Sequence, residues 1–577
     1  MTPRARVALL VAGIGAACVV IALALFPRAF PAIALDNRLT QASALARADS
    51  FFAAHGLAPK ATQRAVRFSA DDSVLTYVDL AAGGTDSVNA LVRGRDQALF
   101  SWTVRAFEPG DAREATVEFG TDGRIIGFRR KLANADTLPD VGADSATALA
   151  RTVLATWIGQ PADRWTVQTT SYETRKESGR VDRTVTFERT DRKIGDAPLR
   201  LDVVVAGNTP VEARPYLYIP ESFSRRYAEM RSANDLLALL ATLGILGLGL
   251  LGVVALRRFG RSGGLRWKPA LLVGGVVGVG IAGAGINGLG AAWFGYDTAM
   301  PAGLYQAIIV AAALAGGVAT GGIVTLTLAA AEAAARHAFP HKLDWWSLWR
   351  ARGTREVAAQ VGGGYVVAAI GFAYIASFYV VTRGALGWWV PSELLDDPNQ
   401  IATPMPWLAG IALSLQAGVW EEALFRALPL SMLSLWAMNK PNRDWWMRFG
   451  VVGTALIFGF AHSNYPSWPP YSRGFELLLE ASFWGILFLR AGLLVTVLAH
   501  FTFDLVLFSL FTATGSAPEY RISAAIATLA LLAPALVVGW RVLRQRGFVP
   551  LPEGARFGEW RPPAEAAPAP PPELAPA

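Results

Sequence analysis

Apolar residues along this chain gather into long unbroken runs, with one wide interruption. Residues 7–26 form an uncharged run of about 20 residues, enough to cross ~30 Å of hydrocarbon as a helix. Further runs follow at 236–256, 269–294, 304–330, 357–381, 405–436, 449–462, 474–489, 491–511 and 522–542. Together with the first they predict about ten transmembrane helices. The interruption, residues 35–233, has a dense mix of charges and a different rhythm. Ala44-Leu45-Ala46-Arg47 recurs as Ala148-Leu149-Ala150-Arg151, each in an amphipathic stretch followed by period-two alternation. Residues 116–128 alternate around Asp122-Gly123, a hairpin signal, and 181–187 and 199–205 read as strands. The pattern predicts a polytopic α-helical membrane protein with an inserted α+β domain made of two diverged helix-plus-sheet units.

Charge sets the expected orientation. Arg4 and Arg6 precede the first run, and the segments 257–268, 335–356, 439–448 and 541–547 are rich in Lys and Arg. The alternate loops are poorer in basic residues, so the positive-inside rule places both termini in the cytoplasm and residues 35–233 outside, in a cell (inner or plasma) membrane. Ala32-Ile33-Ala34 loosely resembles a signal-peptide cleavage site, but the preceding run is longer than a signal core and reads as an uncleaved anchor. The expected divisions are an anchor at 1–34, an extracytoplasmic domain at 35–233 and transmembrane helices two to four at 234–354. A further membrane domain follows at 355–545, then a disordered Pro- and Ala-rich tail at 546–577. Paired tryptophans at 345–346, 388–389 and 445–446 suit the interfacial belts.

Composition agrees: 53% of the 577 residues are hydrophobic and 17% charged. The net charge of +8 would suit a nucleic acid, but Arg257, Arg258, Arg261, Arg266 and Lys268 cluster beside apolar runs. They mark cytoplasmic loops, so the bilayer is the expected partner and nucleic acid is not. The lone cysteine, Cys18, lies inside the first run, which removes intrachain disulfides, thiolate metal sites and cysteine catalysis.

Ionisable residues within membrane runs are costly and point to function. Glu421, Glu422 and Arg426 fall within six positions of one run. Glu422 and Arg426 are four apart and share a helix face, so they can pair, while Glu421 points about 100° away and lacks a local partner. An unpaired carboxylate in low dielectric suits a general base. His462 closes one apolar stretch, and His500 lies in another with Asp504 one turn on. Two of only five histidines thus fall inside apolar helices downstream of the double glutamate. Glu480 should lie deep enough to support the site, whereas Glu476 is expected near the interface. His55 reads as a helix-end residue, and His337 and His341, separated by Pro340, as loop residues.

The order Glu421-Glu422-Ala423-Leu424-Phe425-Arg426, Phe458-Gly459-Phe460-Ala461-His462 and His500-Phe501-Thr502-Phe503-Asp504 resembles the three-motif signature of the CAAX prenyl proteases and their bacterial CPBP or Abi homologues, glutamic-type intramembrane endopeptidases. The likeness covers roughly 355–545. It implies hydrolysis of a peptide bond by water activated by Glu421 and His462, with Glu422, His500 and Asp504 completing the catalytic set and Arg426 and Phe458 supporting it. The third motif ends in Asp504 where eukaryotic-type members have Asn. An ionised Asp504 would repel an oxyanion, so its expected role is to orient His500, unless it is itself protonated. No cofactor is expected; the alternative is zinc held by Glu421, His462 and His500, although no His-Glu-x-x-His is present. The implied partner is a peptide or protein substrate in or at the membrane, with substrate identity and oligomeric state left open. Rival readings are a structural ion-pair network around Arg426, a non-catalytic scaffold or immunity protein of the same fold, and a proton-coupled transporter. The absence of a second Glu-Glu segment counts against the last.

Overall fold

The computed structural model describes residues 3–30, 35–57, 63–93, 99–389 and 397–558. The first helix, α1, covers Pro3–Ala29. The polar region contains four helices of ten residues or more, α2 (Gln41–His55), α3 (Asp72–Ala81), α4 (Gly84–Arg93) and α5 (Gly142–Thr152). Its strands are β1 (Gln63–Ala70), β2 (Phe100–Phe107), β3 (Glu114–Gly120), β4 (Ile125–Lys131), β5 (Trp165–Thr174), β6 (Val181–Ile194), β7 (Ala197–Ala206) and β8 (Thr209–Leu217). Each half contributes a leading helix and four strands, with α3 and α4 inserted between β1 and β2 in the first. The halves join edge to edge in one antiparallel sheet of order β1-β2-β3-β4-β8-β7-β6-β5. The seam is short: β4 meets β8 only at Phe128↔Ala213 and Arg129↔Glu212. Gly127 permits that approach, since a Cβ there would lie 2.6 Å from the Ala213 carbonyl oxygen. The strand-period apolar positions, among them Phe68, Trp102, Val117, Phe187 and Leu201, are buried in a single core.

That core does not stop at the domain edge. Ile401, Ala402, Phe511 and Tyr520, from the membrane half, belong to it. Asn37, fully buried, accepts from Trp102 Nε1 at 3.1 Å and donates to the Tyr520 hydroxyl at 3.1 Å. The mixed α/β part is therefore packed onto the helical part rather than tethered to it.

The longer membrane helices are α6 (Glu221–Arg261), α7 (Trp267–Asn287), α8 (Ala302–Ala338), α9 (Arg355–Leu386), α10 (Pro406–Glu422), α11 (Leu428–Ala437), α12 (Arg443–Ala461), α13 (Ser472–Ala491), α14 (Leu493–Phe508) and α15 (Pro518–Arg544). Among the described residues six helices are long and apolar enough to cross a membrane: Arg6–Ala29, α6, α7, α8, α9 and α15. The other four expected spans are helical but shorter or more polar, and they are the ones that hold the candidate residues. α13 alone carries Arg473, Glu476, Glu480 and Arg490. On α6, Asn234, Ala241, Leu248 and Ala255 are buried at every seventh position, a single stripe along a helix of 41 residues.

Two boundaries differ from expectation. The run 405–436 is not one helix: a π-helical turn, Ala423–Ala427, separates α10 from α11. Pro429 explains the break, because it has no N–H and its ring would crowd the Phe425 carbonyl in regular α-register. The tail expected to be disordered from 546 is ordered as far as 558. The amide of Asp344 donates to the Ala555 carbonyl and that of Phe557 to the Lys342 carbonyl, so this stretch packs back on the loop after α8. Residues 559–577 lie outside the described residues.

Candidate active site

The site starts from a close helix crossing. At Gly418 a Cβ would lie 3.1 Å from both the Phe501 amide nitrogen and the Val497 carbonyl oxygen, so the missing side chain lets α10 lie directly on α14. One turn further, Glu421 and Glu422 therefore meet His500 and Asp504.

Glu422 is completely buried. Its Oε1 accepts from His500 Nδ1 at 3.0 Å and lies 3.0 Å from Arg426 Nη1. The expected Glu422–Arg426 pair is thus present, across the π turn, as an ion pair without hydrogen-bond alignment: both Arg426 Nη atoms lack a hydrogen-bond partner. The guanidinium also stacks 4.1 Å over the Phe458 ring and 5.5 Å from that of Trp484. Phe458 has two roles, as a face for Arg426 and, through its carbonyl, as an acceptor 2.8 Å from His462 Nδ1. With Nδ1 so engaged, the Nε2 edge of His462 is left for other work.

His500 has its ring pinned by Glu422 on one side, and its Nε2 lies 3.7 Å from Glu421 Oε2 and 3.5 Å from Asp504 Oδ2. Trp484 packs edge-on to it at 5.0 Å. Glu421 is in the contrasting situation. Its Oε2, like that of Glu422, is buried without a hydrogen-bond partner, but its nearest ring nitrogen is 3.7 Å away and the side chain keeps 17% exposure where that of Glu422 has none. His462 is within electrostatic reach of Glu421, Arg473 and His500. Glu421, Glu422, His462, His500 and Asp504, with Arg426 and Phe458, therefore come together from α10, the π turn, α12 and α14.

Glu480 sits behind this group. Its Oε1 occupies the space beside Gly371, where a Cβ would lie 2.8 Å away, and it has no hydrogen-bond partner. Glu476 is not solvated at the interface as expected but completely buried. It pairs with Arg473 Nη1 at 2.6 Å and accepts from the Tyr379 hydroxyl at 2.8 Å, while the Tyr374 hydroxyl donates to its backbone carbonyl. Sequence reading missed Arg473 and Tyr379. The spacing of Arg473 and Glu476 was a usable signal; Tyr379, on α9, was not readable from local pattern.

The remaining histidines have structural surroundings. His55 ends α2, stacked 4.0 Å from Trp157. His337, expected in a loop, lies in the last turn of α8, bonded to the Ala333 carbonyl and stacked on Phe259. Among the described residues no three His, Cys, Asp or Glu side chains are placed to hold a metal ion.

No curated protein and no solved structure matches the chain. Residues 403–506 match the family model described as Type II CAAX prenyl endopeptidase Rce1-like. That segment begins just before α10, ends within α14 and contains every residue of the three motifs. Over that segment the chain is similar to the CAAX prenyl endopeptidases, and the match takes in all three of the motifs singled out in the sequence.

Proposed function

We propose that the protein is an intramembrane endopeptidase that hydrolyses a peptide bond of a membrane-associated substrate with water activated by Glu421 and His462. The observation that carries this reading is the unequal state of the two glutamates. Each glutamate keeps a buried Oε2 with no hydrogen-bond partner, although buried polar atoms are nearly always paired; but Glu422 has its Oε1 engaged by His500 and Arg426, whereas Glu421 has only a longer contact with His500 Nε2, at 3.7 Å. A free acceptor beside the Nε2 edge of one histidine and in reach of another suits a general base. In this reading Glu421 takes a proton from water as its oxygen bonds to the scissile carbonyl carbon, then passes that proton to the leaving nitrogen. His462 helps hold the water. Asp504 and Glu422 fix the His500 ring, whose Nε2 edge faces the reacting centre. No step requires a metal.

Topology is part of the proposal. About ten membrane-embedded helices, both termini cytoplasmic and residues 35–233 outside would put His462 near the outer surface. The loop after His462 supports this. Trp468 makes a two-way backbone bridge with Trp389, whose Nε1 donates to Asp79 of α3 at 2.7 Å. The polar domain thus stands over the rim of the site, which suits capture of an extracytoplasmic or membrane-tethered peptide.

The test compares the peptides of membranes containing wild type or Glu421→Gln. Loss of one general base is expected to reduce cleavage about 10²–10⁴-fold while thermal stability is retained. Activity of purified wild type should survive exhaustive chelation. Loss under chelator with rescue by zinc would replace the metal-free mechanism, and unchanged cleavage by Glu421→Gln would remove Glu421 as the base.

A further inference from the structure

A second feature lies away from the proteolytic site, at the other end of α13. A cavity of 550 Å³ opens between α1, α9 and α13 and is closed at one end by the loop after α8. Its long wall is apolar, with Val11 and Ile14 from α1, Val366 and Ile370 from α9, and Phe483 and Leu487 from α13. Its closed end is polar and mostly basic: Lys342, Arg490, Arg556 and His341, against one carboxylate, Glu356. The shape is that of an amphiphile, an apolar slot capped by positive charge.

Lys342 makes the end cap more than a chance cluster. It is 93% buried, being 7% exposed. Its ammonium donates to the Leu489 carbonyl at 2.7 Å and lies 5.4 Å over the Phe339 ring. Among the described residues no carboxylate is paired with it. A buried ammonium without a counter-charge is costly, and burial draws its pKa down to about 8. The missing component is an anion. Arg490, in the last turn of α13, and Arg556, which donates to the His341 carbonyl, flank the same end and are exposed for contact.

We propose that this cavity is a binding site for an anionic membrane phospholipid, its phosphate held by Lys342, Arg490 and Arg556 and one acyl chain lying in the slot between α1, α9 and α13. Basic ends of clefts between membrane helices are suited to phosphate head groups, which supply charge, while the chain removes apolar wall from contact with mobile lipid. α13 and α14 give the site a link to the rest of the protein. Val495 lines the cavity and packs in one cluster with Val367, Trp484 and Ala499, and Trp484 rests on His500. The proposal does not depend on the proteolytic reading.

The full chain, purified in detergent and stripped of lipid, is titrated with phosphatidylglycerol or phosphatidylcholine while thermal unfolding is followed. Phosphatidylglycerol is expected to raise Tm at concentrations where phosphatidylcholine does not, and to remain as a bound adduct in native mass spectra. Arg490→Gln and Arg556→Gln, both at exposed positions, should each weaken the response about fivefold. Lys342→Met should abolish the preference between the two lipids. Equal stabilisation by both lipids would overturn the proposal. So would an unchanged preference in the Arg490→Gln/Arg556→Gln protein, which also covers the case in which Lys342→Met does not fold. Inorganic phosphate or glycerol phosphate reproducing the full effect would show a bare anion site, with the slot unused, and would overturn it as well.

Discussion

Two helix pairs in this molecule solve the same problem by opposite means. α7 and α8 meet through an absence of side chains. Gly274 and Gly278 face Gly317 and Gly321, and a Cβ at Gly278 would lie 2.6 Å from the Gly317 carbonyl oxygen, one at Gly321 2.7 Å from that of Gly274. α10 and α14 also touch at a glycine, Gly418, but one turn beyond it lies a buried ionic group: Glu422, Arg426 and His500 in mutual contact. Lipid tails compete with any apolar interface, so helices associate by close packing or by polar contact. At the glycine crossing the first pair relies on packing, although one end of the pair also holds a buried ion pair, Glu332 with Arg336 and Arg266. The second accepts the cost of buried charge, and it holds the candidate site. Both pairs meet at glycines; they differ in that the glycine crossing of α7 and α8 is separate from their buried ion pair, whereas that of α10 and α14 lies one turn from Glu422, Arg426 and His500.

Breaking that contrast should give the largest effect at Arg426. Arg426→Ala leaves Glu422 buried and unpaired, which typically costs ~3–5 kcal/mol. Yield, thermal stability and cleavage should fall together. Arg426→Lys should recover only part, because the ammonium is not a planar fork and stacks less well on Phe458. Glu422→Gln in the Arg426→Ala background should restore stability but not cleavage, and a double variant no more stable than Arg426→Ala would show that the two are not partners. The packed pair should respond next. Gly278→Leu inserts bulk against the Gly317 backbone and should cost ~1–3 kcal/mol or more. Gly275→Leu, on the same helix with nothing within 4 Å of its Cβ position, should be silent in thermal unfolding. Equal effects from the two would deny that the crossing is held by backbone contact.

The smallest effect sharpens the comparison from the sheet domain. Burial holds the Glu118 carboxyl on β3 above its ordinary value of 4.5, offset in part by a hydrogen bond from Ser101. Its folded pKa is raised, so the native state keeps a proton that the unfolded chain has lost, and stability falls as pH rises through that window. Glu118→Gln should therefore raise Tm slightly at neutral pH, and the gain should vanish below pH 4.5. A gain that persists in acid would assign the effect to something other than ionisation.

Much of this was legible in the chain. The three motifs announce themselves because carboxylates and imidazoles are rare in apolar runs, and the β3–β4 hairpin follows from Asp122-Gly123. What escaped was non-local. The seam between β4 and β8 joins strands far apart in sequence through two residue pairs, which no alternation reports. The burial of Glu476 depends on Tyr379 from another helix, so position in its own run suggested solvent instead. The π turn at Ala423–Ala427 was signalled by Pro429 but hidden by the uniform apolarity around it. Of the helices that carry the site, α14 is apolar but only 16 residues long, and α13 is interrupted by its own charges, so length and hydropathy together understate them.

Helix α6 runs unbroken for 41 residues, about 60 Å, from the polar domain to the basic loop before α7. Near its upper part Asn234, completely buried, donates to the Ser467 carbonyl and hydroxyl in the loop that comes after His462. The stretch from Glu221 to Asn234 rises about 20 Å. Mechanically this is a cantilever with its clamp at the rim of the site and its free arm in the polar domain. A load on that domain, such as a captured peptide pulling sideways, becomes a torque at Asn234 and so a displacement of the loop beside His462. Leverage, rather than a diffusing signal, would let an event on the sheet be felt beside His462.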